Sequence, residues 1–254
     1  MQDLSNINDY QASSTLLAGK NIVVTGAGDG IGKAAALSFA AHGATVILVG
    51  KTIEKLALVY DEIEAAGHPQ PVLVELDLAE ASHRDFAALN NEIIDQLGSL
   101  HGLLHNAGIL GEMKPLSQYD AETFDQVIKV NLSSNFNLTN ALMPALNLAD
   151  HASVIFTSSG VGRKSRAYWG AYAVSKFGIE GLMQTWADEL ADTSNIRVNS
   201  LNPGATQTQM RKQAYPGEAL NSNPEPSAIM NAYLYLIGSD SIGVNGQALN
   251  AQSK

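Results

Sequence analysis

Short β-branched runs bounded by Gly, Pro or Asp recur along this chain, with stretches of helical length between them. The runs are NIVVT (21–25), GATVILVG (43–50), PVLVELD (71–77), HGLLH (101–105), SVIFTS (153–158) and IRVNSLN (196–202). Each has the length of a buried strand. Between them lie KAAALSFAAHG, IEKLALVYDEIEAAG and FAALNNEIIDQLG, each closing on a glycine that can end a helix. Strands that are apolar on both faces need cover on both faces, and parallel neighbours need crossover connections. The pattern therefore predicts a doubly wound α/β domain with a mostly parallel central sheet of about seven strands flanked by helices. It covers 19–254, after a polar N-terminal arm over 1–18. Ligands of such sheets bind beyond the carboxyl ends of the strands, so the residues just after each strand are the first candidates for chemistry.

The bulk properties narrow the function. A chain of 254 residues with 45% hydrophobic and 16% charged residues suits one compact domain. A formal charge of −10 repels phosphate backbones, so neither nucleic acid nor an anionic membrane surface is an expected partner. The absence of cysteine excludes disulfides, thiolate metal sites and a cysteine nucleophile. His42, His68, His83, His101, His105 and His151 are scattered without metal-ligand spacing, and no metal is expected. MQDLSNINDYQASSTLLA lacks the basic start and apolar run of a signal peptide, and no later segment approaches a membrane span. A cytoplasmic protein is the expectation.

Directly after the first predicted strand comes TGAGDGIG (25–32), leading into a helix. Gly26, Gly30 and Gly32 permit a tight turn and let main-chain N–H groups at the helix start approach a pyrophosphate. The run is not GxGxxG, because position 31 is Ile. Further along, AYAVSK carries Tyr172 and Lys176 four residues apart, which on a helix puts both on one face. A free phenol with a pKa of about 10 is a poor proton acceptor near neutrality, and a neighbouring ammonium should lower it.

TGAGDGIG resembles the TGxxxGIG cofactor motif of the short-chain dehydrogenases/reductases, a family with a single Rossmann-type domain. The resemblance implies a cofactor loop formed by Thr25, Gly26, Gly28, Asp29, Gly30, Ile31 and Gly32. Asp77 and Leu78, ending the third strand, match the position that touches the adenine. Asn106, Ala107 and Gly108 resemble the family's NNAG segment, with His105 in place of its first Asn and read as a packing substitute. Pro203, Gly204 and Thr208 in NPGATQTQM resemble the PG segment beside the nicotinamide. Asn131 in KVNLS, Ser159 in VIFTSSG, Tyr172 and Lys176 resemble the catalytic tetrad. They imply Tyr172 as general acid/base, Ser159 as the group bonding the substrate oxygen, Lys176 as the residue holding the ribose and tuning Tyr172, and Asn131 as support for a relay water. Ser158 competes with Ser159, but the thirteen-residue interval to Tyr172 favours Ser159, with Ser158 facing the core. The resemblance runs from about Gly19 to 238. The tail GVNGQALNAQSK lacks the common VDGG, so the last strand or its interface contacts are expected to differ. GRKSRAYWGAYAVSK and NPGATQTQMR are most similar to the bacterial YciK-type oxidoreductases.

The resemblance implies an oxidoreductase that moves a hydride between a nicotinamide cofactor and a small carbonyl or secondary alcohol. An NAD site usually ends its second strand in a carboxylate that binds the ribose 2′-hydroxyl. Here Gly50 leaves room for a 2′-phosphate and Lys51 supplies a cation, so NADP(H) is favoured over NAD(H), with Asp29 in the loop opposing it. A non-catalytic NADP(H)-binding sensor or scaffold is the alternative. Arg163, Lys164 and Arg166 either attract an acidic substrate or, the favoured reading, form a solvated surface. Trp169 and Tyr168 either line an apolar pocket or pack at a subunit contact. AYPGEALNSNPEPS (214–227) is either a loop over the site or a solvated connection. By resemblance, helices around 121–148 and 171–191 pair copies into a homodimer or homotetramer.

Overall fold

The computed structural model describes residues 7–219 and 221–252. In chain order the regular elements are β1 (Asn21–Thr25), α1 (Gly30–Ala41), β2 (Thr45–Gly50), α2 (Ile53–Ala65), β3 (Val72–Glu75), α3 (His83–Leu97), β4 (Gly102–His105), α4 (Ala121–Ile128), α5 (Ser134–Asn147), β5 (Ala152–Thr157), α6 (Gly170–Leu190), β6 (Ile196–Asn202), α7 (Gln209–Ala214), α8 (Met230–Ile237) and β7 (Ala248–Asn250). The seven strands form one sheet in the order β3-β2-β1-β4-β5-β6-β7. Every pair in it is parallel. The winding reverses between β1 and β4, which opens a crevice at their carboxyl ends, the place where doubly wound sheets hold ligands.

The strand sequences read as unbroken apolar runs because alternate residues feed two separate layers. Val24, Leu48, Leu104 and Ile155 point to one side, where they pack with Phe39 of α1, Leu56 of α2 and Tyr233 of α8. Val23, Ile47, Leu103 and Val154 point to the other, against Phe86 of α3, Leu142 of α5 and Met183 of α6. A third, smaller cluster of Leu110, Val161, Tyr172 and Ala173, with Trp169, Met210 and Ala214 against it, lies apart from both layers.

Three local features differ from the sequence pattern. Residues 7–18 of the expected arm lie on the domain: Ile7 and Leu17 are buried, Tyr10 donates to Asp240 at 2.8 Å, and the Asn231 amide donates to the Asn8 carbonyl at 3.0 Å. Between α4 and α5 the helix widens into a π-turn over Lys129–Ser133, a form that needs a local reason because its hydrogen bonding is unfavourable over long runs. The last strand is only three residues long and pairs Ser200, Leu201 and Asn202 with Ala248, Leu249 and Asn250.

Candidate active site

A cavity of about 770 Å³ opens at the carboxyl ends of the strands, bounded by the loops after β1, β2, β3, β4, β5 and β6. Its walls include Thr25, Gly26, Asp29, Gly30 and Ile31 of the glycine loop, Gly50 and Lys51, Asp77 and Leu78, Asn106 to Gly108, Ser159, Tyr172, Lys176, Pro203, Gly204 and Thr208. Gly28, Gly32 and Asn131 stand behind that wall. A Cβ on Gly32 would lie 2.1 Å from the Gly26 carbonyl oxygen, so the first turn of α1 seats on the loop only without a side chain. Gly26 has φ +66° and faces the Ala107 main chain, 3.0 Å from where its Cβ would be, so it needs both the left-handed conformation and the missing side chain. Thr25 ties the two strands of the crevice together: its hydroxyl accepts from the N–H groups of Asn106 and Ala107, both at 3.0 Å.

Gly30 and Ile31 at the N-terminus of α1 lie on this cavity's wall, and a helix N-terminus favours anions even in an acidic protein. Asp29 caps α1 by accepting from Gly30 N at 2.7 Å. Its other oxygen is ion-paired at 2.7 Å with Lys55, a cavity-wall residue from the first turn of α2 that sequence reasoning missed. The hydrogen bond from Lys55, with the Gly30 N–H, holds the Asp29 carboxyl below its usual range. Lys51 and Lys55 together place two cations beside Gly50. The signal was present as a K-x-x-x-K spacing across the start of α2, where the second lysine turns back toward the loop.

At the opposite end, Tyr172 and Lys176 project from the first two turns of α6. Burial pushes the Tyr172 phenol up to about 12, and a hydrogen bond with Ser159 pulls the other way. This reverses the expected direction. The Lys176 ammonium lies 5.6 Å from the centre of the Tyr172 ring and donates to the Thr157 carbonyl at 2.6 Å, and desolvation is the largest influence on the phenol. Lys176 is itself lowered by burial, to about 8. Ser158 and Ser159 both border the cavity, but the Ser158 hydroxyl turns inward to Glu180.

Asn131 is fully buried in the π-turn. Its Oδ1 accepts from Ile109 N at 2.8 Å, and its Nδ2 donates to the Ile109 carbonyl at 2.9 Å and to Ser175 Oγ at 3.1 Å. The side chain therefore fastens the loop after β4 to α6. His105 is a packing residue: it stacks on Phe156 at 4.7 Å and bonds Thr139 Oγ1 at 2.7 Å, and burial lowers its imidazole to about 3. Arg163 departs from both surface readings. It bonds Glu180 at 3.1 Å, Asn250 Oδ1 at 2.9 Å and the Leu249 carbonyl at 2.7 Å, while Lys164 and Arg166 are exposed. Trp169 lines the cavity and contacts Tyr172 and Tyr215, with ring centres at 5.6 and 6.0 Å; Tyr168 is exposed. From the segment after β6, α7 supplies Met210, Arg211, Gln213 and Ala214 to the wall, and of the described residues in 214–227 only Ala214 reaches it.

A nucleotide cradle at the sheet's switch point, with a serine, a tyrosine and a lysine converging at its far end, defines a dinucleotide-dependent oxidoreductase fold. The profile of the family described as short chain dehydrogenase matches residues 20–219, and the chain belongs to the short-chain dehydrogenase/reductase family. It is 44% identical to the uncharacterized oxidoreductase YciK of Escherichia coli strain K12, over 96% of each chain. A solved structure described as a short chain dehydrogenase from Pseudomonas syringae is 55% identical, covers 96% of this chain and 99% of its own, and superimposes with a TM-score of 0.95. Another from Escherichia coli CFT073, complexed with NADPH, is 44% identical, with a TM-score of 0.92 and coverage of 95% of this chain and 100% of its own.

Proposed function

We propose that this oxidoreductase uses NADP(H) and transfers a hydride to or from a small carbonyl or secondary alcohol, with Tyr172 as the proton-transferring group. The observation that carries this reading is the convergence of Ser159, Tyr172 and Lys176 on the wall of a cavity whose other end is the glycine cradle. That cradle fits a dinucleotide: side chains are missing where main chain must approach phosphate, the N-terminus of α1 lies on its wall, and Lys51 and Lys55 stand where a 2′-phosphate needs cations. The relative bound to NADPH supports the same cofactor here. When bound, the nicotinamide supplies or accepts the hydride.

The chain's own residues supply the rest. Ser159 donates a hydrogen bond to the substrate oxygen and orients it toward Tyr172. The phenol, protonated near neutrality because burial pushes it up to about 12, is in the form that gives a proton to a carbonyl oxygen as it is reduced. Lys176 holds the ribose hydroxyls and places positive charge near the phenolate that forms. Asn131 keeps the loop after β4 against α6. Leu110, Trp169, Met210 and Ala214 form an apolar wall beside Tyr172 that excludes water from the reacting carbon.

Assembly belongs to the same proposal. Phe136 of α5 and Val174 and Phe177 of α6 are large apolar side chains left exposed, as expected of helices that pair copies into a homodimer or homotetramer. The site of action proposed is the cytoplasm. The test is a panel of aldehydes, ketones, quinones and secondary alcohols assayed with both nicotinamide cofactors. Turnover with NADPH of at least one carbonyl class is expected. Tight NADPH binding with no turnover across the panel would favour the sensor instead.

A further inference from the structure

Tyr172, Lys176 and Glu180 follow one another at single-turn intervals on α6, and all three are buried, at 8%, 4% and 7% exposure. Residues four apart on a helix are lateral neighbours, about 5–6 Å between Cβ atoms. The phenol, the ammonium and the carboxylate therefore form one stripe running inward from the cavity. Glu180 is outside the set of residues assigned to proton or cofactor handling. Buried carboxylates persist only when paired and hydrogen-bonded, and Glu180 is engaged on both oxygens. Ser158 Oγ donates to Oε1 at 2.5 Å and Arg163 Nε at 3.1 Å, while Ser200 Oγ donates to Oε2 at 2.7 Å. These donors come from the end of β5, the turn after it, and β6. All are donors, so the site is shaped for an acceptor with negative charge.

We propose that Glu180 is a positioning residue that keeps Lys176 in its ammonium form and, through Ser158, fixes the strand end that aims Ser159 at Tyr172. Its functional meaning rests on the reading of Tyr172 and Lys176 as the acid/base pair. Burial lowers Lys176 to about 8, and the charge of Glu180 is what opposes that fall. A lysine poised there changes its charge with small changes in its surroundings. The titratable groups facing the stripe, among the described residues, are Arg163 beside Glu180, His105 of β4 near Lys176, and Tyr233 of α8 near Tyr172. His105 is neutral in this range, and burial keeps the Tyr233 phenol protonated. Arg163 is thus the cation that partly offsets Glu180, and the two should act on Lys176 with opposite sign.

The experiment is a pH titration of the whole protein labelled with 13C at lysine Cε, the Lys176 resonance being assigned by its loss in Lys176→Met. In Glu180→Gln the Lys176 midpoint is expected about one pH unit lower. In Glu180→Asp, which keeps the charge, it returns toward the parent value. In Arg163→Met, which leaves the carboxylate uncompensated, it moves upward. General loosening of the packing would move the Gln and Met variants the same way, and that result overturns the proposal, as does an unmoved midpoint in Glu180→Gln. Should Glu180→Gln not fold, Arg163→Met decides alone: an unchanged or lower midpoint refutes the link. The titration needs neither cofactor nor substrate, so it succeeds or fails independently of whether the protein is an oxidoreductase. A second readout ties it to the site: NADPH affinity of Glu180→Gln should decline with rising pH earlier than that of the parent, by about twofold more at the pH where its Lys176 is half neutral and about tenfold more above both midpoints. Parallel declines would remove the functional half of the proposal.

Discussion

Replacing Gly50 with Asp places a carboxylate at the end of β2, beside the cations Lys51 and Lys55 on the cavity wall. The site can accept it, because a Cβ at position 50 meets only the Leu56 side-chain tip, at 3.2 Å, which has rotamer freedom to withdraw. Two unit charges about 6 Å apart repel by about 3 kcal/mol at an effective dielectric of about 20. The position is partly exposed, and screening by water and salt reduces this to about 1–2 kcal/mol. A hydrogen bond from the carboxylate to the 2′-hydroxyl of NADH adds about 1 kcal/mol in the other direction. The ratio of kcat/KM for NADH over NADPH should therefore rise by about 30- to 150-fold. Steady-state rates with both cofactors, at low and high ionic strength, measure it, with Gly50→Ala reporting the steric effect alone. The shift should shrink at high salt. A ratio that does not move, or an Ala variant that moves it equally, would refute the placement of the 2′-phosphate.

Lys55→Ala should weaken NADPH binding several-fold while leaving NADH nearly unchanged, the cost of about 1 kcal/mol expected for one exposed cation; equal losses for both cofactors would remove Lys55 from the phosphate site. His105 carries a pH signature. Its imidazole, lowered to about 3 in the folded chain by burial, stays neutral while the unfolded chain takes up a proton below about 6.5. The folded state therefore loses stability as pH falls from about 6.5 toward 3. Thermal unfolding of His105→Asn should fall less steeply across that window than the parent, and matching slopes would contradict the neutral assignment. Phe136→Asp combined with Phe177→Asp should lower the mass measured in solution by light scattering to that of a single chain, and an unchanged mass would place the assembly contact elsewhere.

Six of the seven strands were legible because each is a short, largely apolar run with sharp stops. β7 was not, since Ala248–Asn250 is three residues long and has no apolar run; it exists because β6 offers it an edge. The π-turn at Asn131 left no trace in the periodicity. Its cause is tertiary, the capture of the Asn131 amide by the Ile109 main chain and Ser175. Arg163 reads as surface charge when seen among Lys164 and Arg166, because its partner Glu180 lies on another element. The stripe of Tyr172, Lys176 and Glu180 was readable as spacing, but its burial was not. That burial is also why the phenol moves up when charge alone predicts down. The glycine loop was legible in full, since main-chain approach and a left-handed turn demand glycine whatever surrounds them.

The central claim is that the chain moves a hydride through a site in which Tyr172 handles the proton. The direct measurement is transfer of deuterium from NADPH labelled at the nicotinamide C4 to a panel of carbonyl compounds, read by mass spectrometry of the alcohols, for the parent and for Tyr172→Phe. The parent should place deuterium on the carbinol carbon of at least one product, and Tyr172→Phe should lose the label by a factor of about 100 or more while binding NADPH as before. Tight NADPH binding by the parent with no labelled alcohol, or undiminished labelling by Tyr172→Phe, would contradict it.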